Sequence, residues 1–138
     1  MPASPLALDD LLALARAVRE HAYAPYSGFH VGAAVRTRDG RTFGGCNVEN
    51  ASYGLCNCAE RTALFSAVAA GCRPGDVVAI AVVADTPEEV APCGACRQVM
   101  AELCDEATPV LLANLAGATR ETSVAALLPG SFKLPLRA

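Results

Sequence analysis

Charge is scarce in this chain: only 18% of its 138 residues are Asp, Glu, Lys or Arg, below the roughly 25% of an average soluble domain. Because 53% are hydrophobic, a monomer is expected to expose apolar surface, and self-association would cover it. There is no block of Lys or Arg, and the net charge is −3, so the electrostatic footprint needed to grip nucleic-acid phosphates is missing. A small, nearly neutral substrate fits that composition better than a polynucleotide. No stretch approaches the ~18 consecutive apolar residues of a membrane span, and Met1 to Pro5 lacks the basic-then-apolar pattern of a signal peptide. A soluble, cytoplasmic protein with no membrane partner is the expectation. Solenoid repeats, low-complexity tracts and Pro-, Gly- or Ser-rich linkers are also missing, so residues 1–138 are expected to form a single domain. The two histidines, His21 and His30, show no ligand spacing and are expected to be structural or surface residues.

Cysteine, by contrast, is abundant. Seven in a chain with no sign of export, and an odd number, argue against a disulfide framework and toward thiolate chemistry or metal binding. Cys46, Cys56, Cys72 and Cys104 lie among apolar neighbours and are expected to be small buried hydrophobes. Cys58, Cys93 and Cys96 stand in a different context.

Apolar residues at Leu8, Leu11, Leu12, Ala15 and Val18 recur at helical spacing and predict a first helix over Leu8 to Glu20, with Asp9 and Asp10 near its positive end. Val31 to Thr37 and Thr42 to Asn47 flank Arg38-Asp39-Gly40-Arg41, where Asp-Gly suits the positive φ angles of a tight hairpin. Ala59 to Ala70 favours helix, with Gly71 as a left-handed cap. Val77 to Ala84 is an apolar run too short for a typical helix and predicts a strand buried on both faces. A helix from about Cys93 to Leu103 follows Pro92, then strands over Pro109 to Ala113 and Thr119 to Ser123, and a short helix over Val124 to Leu128. Glu102, Asp105 and Glu106 should form a solvated helix end. The order implies an α/β fold, a three-layer α/β/α sandwich around a mixed five-stranded sheet, with strand order left open.

Cys58-Ala59-Glu60 and Pro92-Cys93-Gly94-Ala95-Cys96 each open a helix directly after a loop. A helix N-terminus lowers thiol pKa values and so favours the thiolates that metals require. Three thiolates leave a tetrahedral zinc one open position for water, the arrangement of a catalytic site. Glu60, two residues beyond Cys58, stands where a proton shuttle belongs. Three anionic ligands donate more charge than three imidazoles, so something should offset it: Arg61 is ranked first, with Arg97 and backbone N–H groups as other candidates.

Blander readings exist for each residue. A lone C-x-x-C also serves thiol-disulfide oxidoreductases and structural zinc modules, but a zinc ribbon wants two such pairs, and a thioredoxin-like motif has no use for a third cysteine with a glutamate two residues on. Glu60 alone would read as a helix-start carboxylate, and Arg61 as a solvated charge. Asn47 and Glu49 alone would read as a strand end and turn, and Phe29, Tyr53 and Phe132 as core or interface aromatics.

Cys58-x-Glu60 followed by Pro92-Cys93-x-x-Cys96 matches the zinc deaminase pattern, with Cys in place of His. Beyond that core, the segments Ala22 to Phe29, Gly45 to Asn50, Cys56 to Leu64, Pro92 to Gln98 and Leu127 to Phe132 resemble the small homotetrameric cytidine deaminases, and the likeness runs from about Leu8 to Phe132. The resemblance implies one zinc per chain on Cys58, Cys93 and Cys96, Glu60 as catalytic residue, and Arg61 neutralising the sulfurs. It also implies that Asn47 and Glu49 bind the ribose, Phe29 packs on the pyrimidine, and the Ala59 backbone meets the base. Neighbouring subunits of a homotetramer would bring Tyr53 and Phe132 to active sites at their interfaces. The implied reaction is hydrolytic deamination of cytidine and deoxycytidine to uridine and deoxyuridine, in pyrimidine salvage. Blasticidin S is the rival aminopyrimidine nucleoside; Asn47, Glu49 and Phe29 favour cytidine.

Overall fold

The computed structural model describes residues 5–137. Its elements run α1 (Pro5–Arg19), β1 (Val31–Thr37), β2 (Thr42–Cys46), a 3₁₀ turn (Tyr53–Leu55), α2 (Ala59–Ala69), β3 (Val77–Ala84), α3 (Gly94–Leu103), β4 (Pro109–Asn114), β5 (Thr119–Ser123) and α4 (Val124–Leu127). The five strands form one sheet in the order β2-β1-β3-β4-β5, in which only β3 and β4 pair in parallel.

Alternation along the central strands sorts their side chains onto two faces. Ala34 of β1, Ala79, Ala81 and Val83 of β3, and Leu111 and Ala113 of β4 point toward Leu8, Leu11 and Ala15 of α1. Ala33, Val35, Ile80, Val82, Val110 and Leu112 point the other way, against Ala63, Leu64 and Ala67 of α2, Met100 of α3, and Val124 and Leu127 of α4. The expected three layers are therefore present, and β3 is apolar throughout because both its faces are covered. Full burial of Leu64 and Leu112, each 0% exposed, contributes about 1.5–3 kcal/mol per side chain.

Two glycines let the helices approach the sheet closely. A Cβ at Gly32 would stand 2.0 Å from the Ala15 carbonyl oxygen of α1. At Gly45 it would stand 2.4 Å from the Ala63 nitrogen and 2.7 Å from the Ala59 oxygen, so β2 lies directly against the first turns of α2.

Topology places the ends that matter side by side. Because β1 is antiparallel to both β2 and β3, those two strands run in the same direction: Gly32 of β1 pairs with Cys46 on one side and Val83 on the other. The chain thus leaves β2 toward α2, and β3 toward α3, from one edge of the sheet, the carboxyl edge where α/β folds place their ligands.

Some local expectations need correction. The first helix begins at Pro5, so its first turn holds no acid; Asp9 and Asp10 lie a turn further in, where the terminal dipole has largely faded. In the hairpin only Gly40 has positive φ (88°), and Asp39 instead accepts hydrogen bonds from Thr37 and Arg41, giving a four-residue loop. Cys72 and Cys104 are buried as expected, but Cys46 and Cys56 are only half-buried. Gly71 takes its left-handed conformation (φ 106°), and Glu102, Asp105 and Glu106 are exposed.

Candidate active site

Cys58 is the N-cap of α2 and Cys93 the N-cap of α3, so both thiols sit where unpaired helix N–H groups collect. Cys93 Sγ accepts from Cys96 N at 3.5 Å, and Cys96 lies in the first turn, fully buried. The three Sγ atoms lie within 4.8 Å of one another, and among the described residues no fourth His, Cys, Asp or Glu joins the group. Cys58 and Cys93 Sγ are 3.6 Å apart, far beyond a disulfide's ~2.05 Å and close to the ~3.8 Å that tetrahedral Zn–S bonds of ~2.3 Å require. The donor set therefore fits zinc held by three residues, and all three cysteines are free of disulfide bonds.

Charge around the sulfurs is arranged for thiolate. Arg61 Nη2 donates to Cys58 Sγ at 3.2 Å. Hydrogen bonding from the Cys96 thiol, then from Arg61 and Cys93, brings Cys58 down to about 5 despite partial burial. Cys96 moves up, chiefly because it donates to Cys58 and is buried. Arg61 has a further buried atom, Nε, with no partner. Arg97 is not a sulfur partner: its Nε donates to the Pro92 carbonyl (2.8 Å) and its Nη1 to the Leu127 carbonyl (3.0 Å), tying the Cys93 loop to α4.

Glu60 is only 4% exposed, an unusual place for a carboxyl group. Burial, reinforced by the negative charge of Cys58, raises its pKa to about 7, so it can both take and give a proton near neutrality. Ala59, fully buried at the first position of α2, has a backbone N–H with no partner inside the helix.

A second cluster lies on the loops before β1 and after β2. Asn47 Oδ1 accepts from Val31 N (2.8 Å) and its Nδ2 donates to the Phe29 carbonyl (2.7 Å). Glu49 Oε1 accepts from Tyr26 N (3.0 Å) and Ser27 N (3.1 Å), while Oε2 accepts from the Ser27 hydroxyl. Tyr53 shares with Glu49 a cavity of about 230 Å³, also lined by Tyr26, Ser27, Asn50 and Cys56. Phe29, Asn47, Glu49 and Tyr53 thus gather in one region of a single chain. Phe132 stands apart from them, its carbonyl accepting from Gln98 of α3 and the residue 67% exposed. Ser27 was not singled out by sequence; its only signal was its place two residues before Phe29, in a turn whose partner, Glu49, is 22 positions away.

Comparison with known proteins agrees with this geometry. Residues 7–112 match the family model of the cytidine and deoxycytidylate deaminase zinc-binding region. A cytidine deaminase of Halalkalibacterium halodurans is 64% identical over 114 residues, 83% of this chain and 85% of its own. One from Sporosarcina psychrophila is 54% identical over 125 residues, 91% of this chain and 90% of its own. The crystal structure of cytidine deaminase from Burkholderia pseudomallei superposes with a TM-score of 0.88 at 63% identity, covering 90% of this chain and 98% of that one.

Proposed function

Because the chain belongs to the cytidine and deoxycytidylate deaminase family, we propose that Glu60 carries protons in a zinc-dependent hydrolysis of cytidine and deoxycytidine to uridine and deoxyuridine plus ammonia. Cys58, Cys93 and Cys96 hold the metal, which when bound supplies the Lewis acidity that brings a water toward ionisation near neutral pH. Glu60 accepts a proton from the attacking water and delivers it to N3 of the pyrimidine; it then takes the remaining proton from the new C4 hydroxyl and passes it to the amine, so that ammonia leaves as the C4 carbonyl forms. A carboxyl group with its pKa near 7 suits both directions of transfer. Arg61 offsets the charge of the sulfurs so that the metal remains an effective Lewis acid.

The substrate side rests on the second cluster. Phe29 packs on the pyrimidine, the Ala59 N–H meets the base, and Asn47 and Glu49 bind ribose hydroxyls. The Glu49 cavity is lined by an acid and by no Lys or Arg, which favours a neutral nucleoside over a nucleotide phosphate. The curated relatives named above are cytidine deaminases, and nothing in the cluster calls for blasticidin S instead.

Residues 1–138 act as one domain that assembles into a homotetramer, and its active sites are completed at subunit interfaces by Tyr53 and Phe132. The support is their exposure, 78% and 67%, alongside exposed Leu55, Leu134 and Leu136. We place the enzyme in the cytoplasm, in pyrimidine salvage; no described helix is long and apolar enough to cross a membrane.

The observation that carries the reaction is a buried Glu60 beside three convergent sulfurs that no fourth His, Cys, Asp or Glu joins among the described residues. Loss of cytidine absorbance in the ultraviolet, coupled to ammonia release, tests it with and without a zinc chelator. Turnover that stops on chelation and returns with zinc is expected; absence of ammonia release by the zinc-loaded protein would overturn it.

A further inference from the structure

Glu49 is expected to recognise a hydroxyl, and a carboxylate does so only if its free lone pair points at the ligand. Three of its roughly four acceptor positions are already used: two on or near Oε1 by the Tyr26 and Ser27 N–H groups and one on Oε2 by the Ser27 hydroxyl. The two backbone contacts hold Oε1 alone, so Oε2 would be free to swing about it. Ser27 Oγ is the only described side chain that restrains Oε2.

The hydroxyl itself is oriented. Its oxygen accepts from Phe29 N at 3.0 Å, which leaves its hydrogen to point at the carboxylate. The backbone beneath is a tight turn, with Gly28 at φ 70° and its N–H bonded to the Ala24 carbonyl at 2.9 Å. A chain of fixed contacts thus runs from the Phe29 backbone through Ser27 to Glu49. Its electrostatic trace is that the Ser27 hydroxyl, more than any other contact, holds the Glu49 carboxyl below its ordinary pKa and keeps it acceptor-only.

We propose that Ser27 is a positioning residue for substrate binding: it locks Oε2 of Glu49 in the orientation that accepts a sugar hydroxyl, and through its bond to Phe29 N it couples that carboxylate to the turn carrying the aromatic ring. This rests on the assignment of Glu49 to the ribose. Ser27 is exposed and is not among the hydrogen-bond partners of Cys58, Cys93 or Cys96, so its loss should weaken binding of ground state and transition state alike and leave the chemical step intact.

The test is cytidine kinetics on zinc-loaded wild type, S27A, S27T, S27C, E49A and the S27A/E49A double variant. S27A should raise KM about tenfold with kcat within about twofold of wild type, as loss of an orienting hydrogen bond to a charged group predicts. S27T, which keeps the hydroxyl, should bring KM back to within about threefold, and S27C, a weaker donor, should fall between. In the E49A background, S27A should add no more than about twofold, because its effect passes through the missing carboxylate. If E49A leaves KM unchanged, the ribose role of Glu49 is wrong and the inference goes with it. If E49A raises KM but S27A does not, or the S27A effect persists in full without Glu49, or S27A acts on kcat instead, then Ser27 is not its positioning residue while the ribose role stands.

Discussion

Arg61 and Cys58 are bonded across 3.2 Å within the first turn of one helix, so the residue that answers the charge of the sulfurs is carried by the same backbone as a sulfur. No loop movement can separate them. Replacing Arg61 by Ala should therefore lower zinc affinity by about ten- to hundredfold, the usual cost of losing a partner of a metal ligand. Lys, a point charge without the guanidinium fork, should recover only part of it. Competition with a colourimetric chelator measures this, and unchanged affinity in R61A would show that the bond to Cys58 contributes nothing to the metal.

Glu60→Gln should keep one zinc per chain and lose about 10²- to 10⁴-fold in kcat, the contribution of positioned acid–base catalysis. Metal content and turnover must be measured on the same sample. Near-normal turnover would remove Glu60 from proton transfer.

Cys58→Ala, Cys93→Ala and Cys96→Ala should each lose metal and activity together, since two thiolates make a poor zinc site. Atomic absorption against ammonia release reads both, and a variant that keeps both was never a ligand.

The metal-free protein should show the cost of burying Glu60. Its folded pKa, about 7, exceeds the ordinary 4.5, so the folded chain holds this proton more tightly than the unfolded chain. The resulting stability is fully present below pH 4.5 and is lost as pH rises through about 7. Metal-free E60Q lacks that loss and should melt roughly 5 °C or more above wild type at pH 8, at about 1.4 kcal/mol per pKa unit and several degrees per kcal/mol. The gap should narrow steadily toward pH 4. Melting curves that stay parallel from pH 4 to 8 would refute the shift.

Gly45→Ala should cost about 1–3 kcal/mol and weaken the metal site as well, because a methyl group there meets backbone atoms of α2 that cannot swing aside. Gly54→Ala is the matched control, with nothing within 4 Å. Denaturant unfolding separates them; equal midpoints would mean that α2 can back away from β2 at no cost.

Most elements were legible because each carried one dominant signal. β3 could be read from eight apolar residues, α2 from its helix formers and Gly71, and β1 from its pattern before the Asp-Gly turn. The metal cluster was legible because Cys58 and Cys93 open helices after loops, a local property. What escaped depended on partners distant in sequence. The strand order needs the pairing of Val31 with Ala84, and Ser27 acquires meaning only when the turn folds onto Glu49. The half-burial of Cys56 likewise reflects the cavity it lines with Glu49 and Tyr53, which apolar neighbours in sequence do not reveal.

Cys58 and Cys93 meet although 35 positions separate them, and all of α2 and β3 lies between. An ion bound there is also a clasp on one side of the sheet, while α1 on the opposite side has no share in it. Stripping the metal should therefore loosen the molecule unevenly: amide hydrogens in the opening turns of α2 and α3 would exchange with deuterium sooner, and those of β3 against β1 would keep their protection.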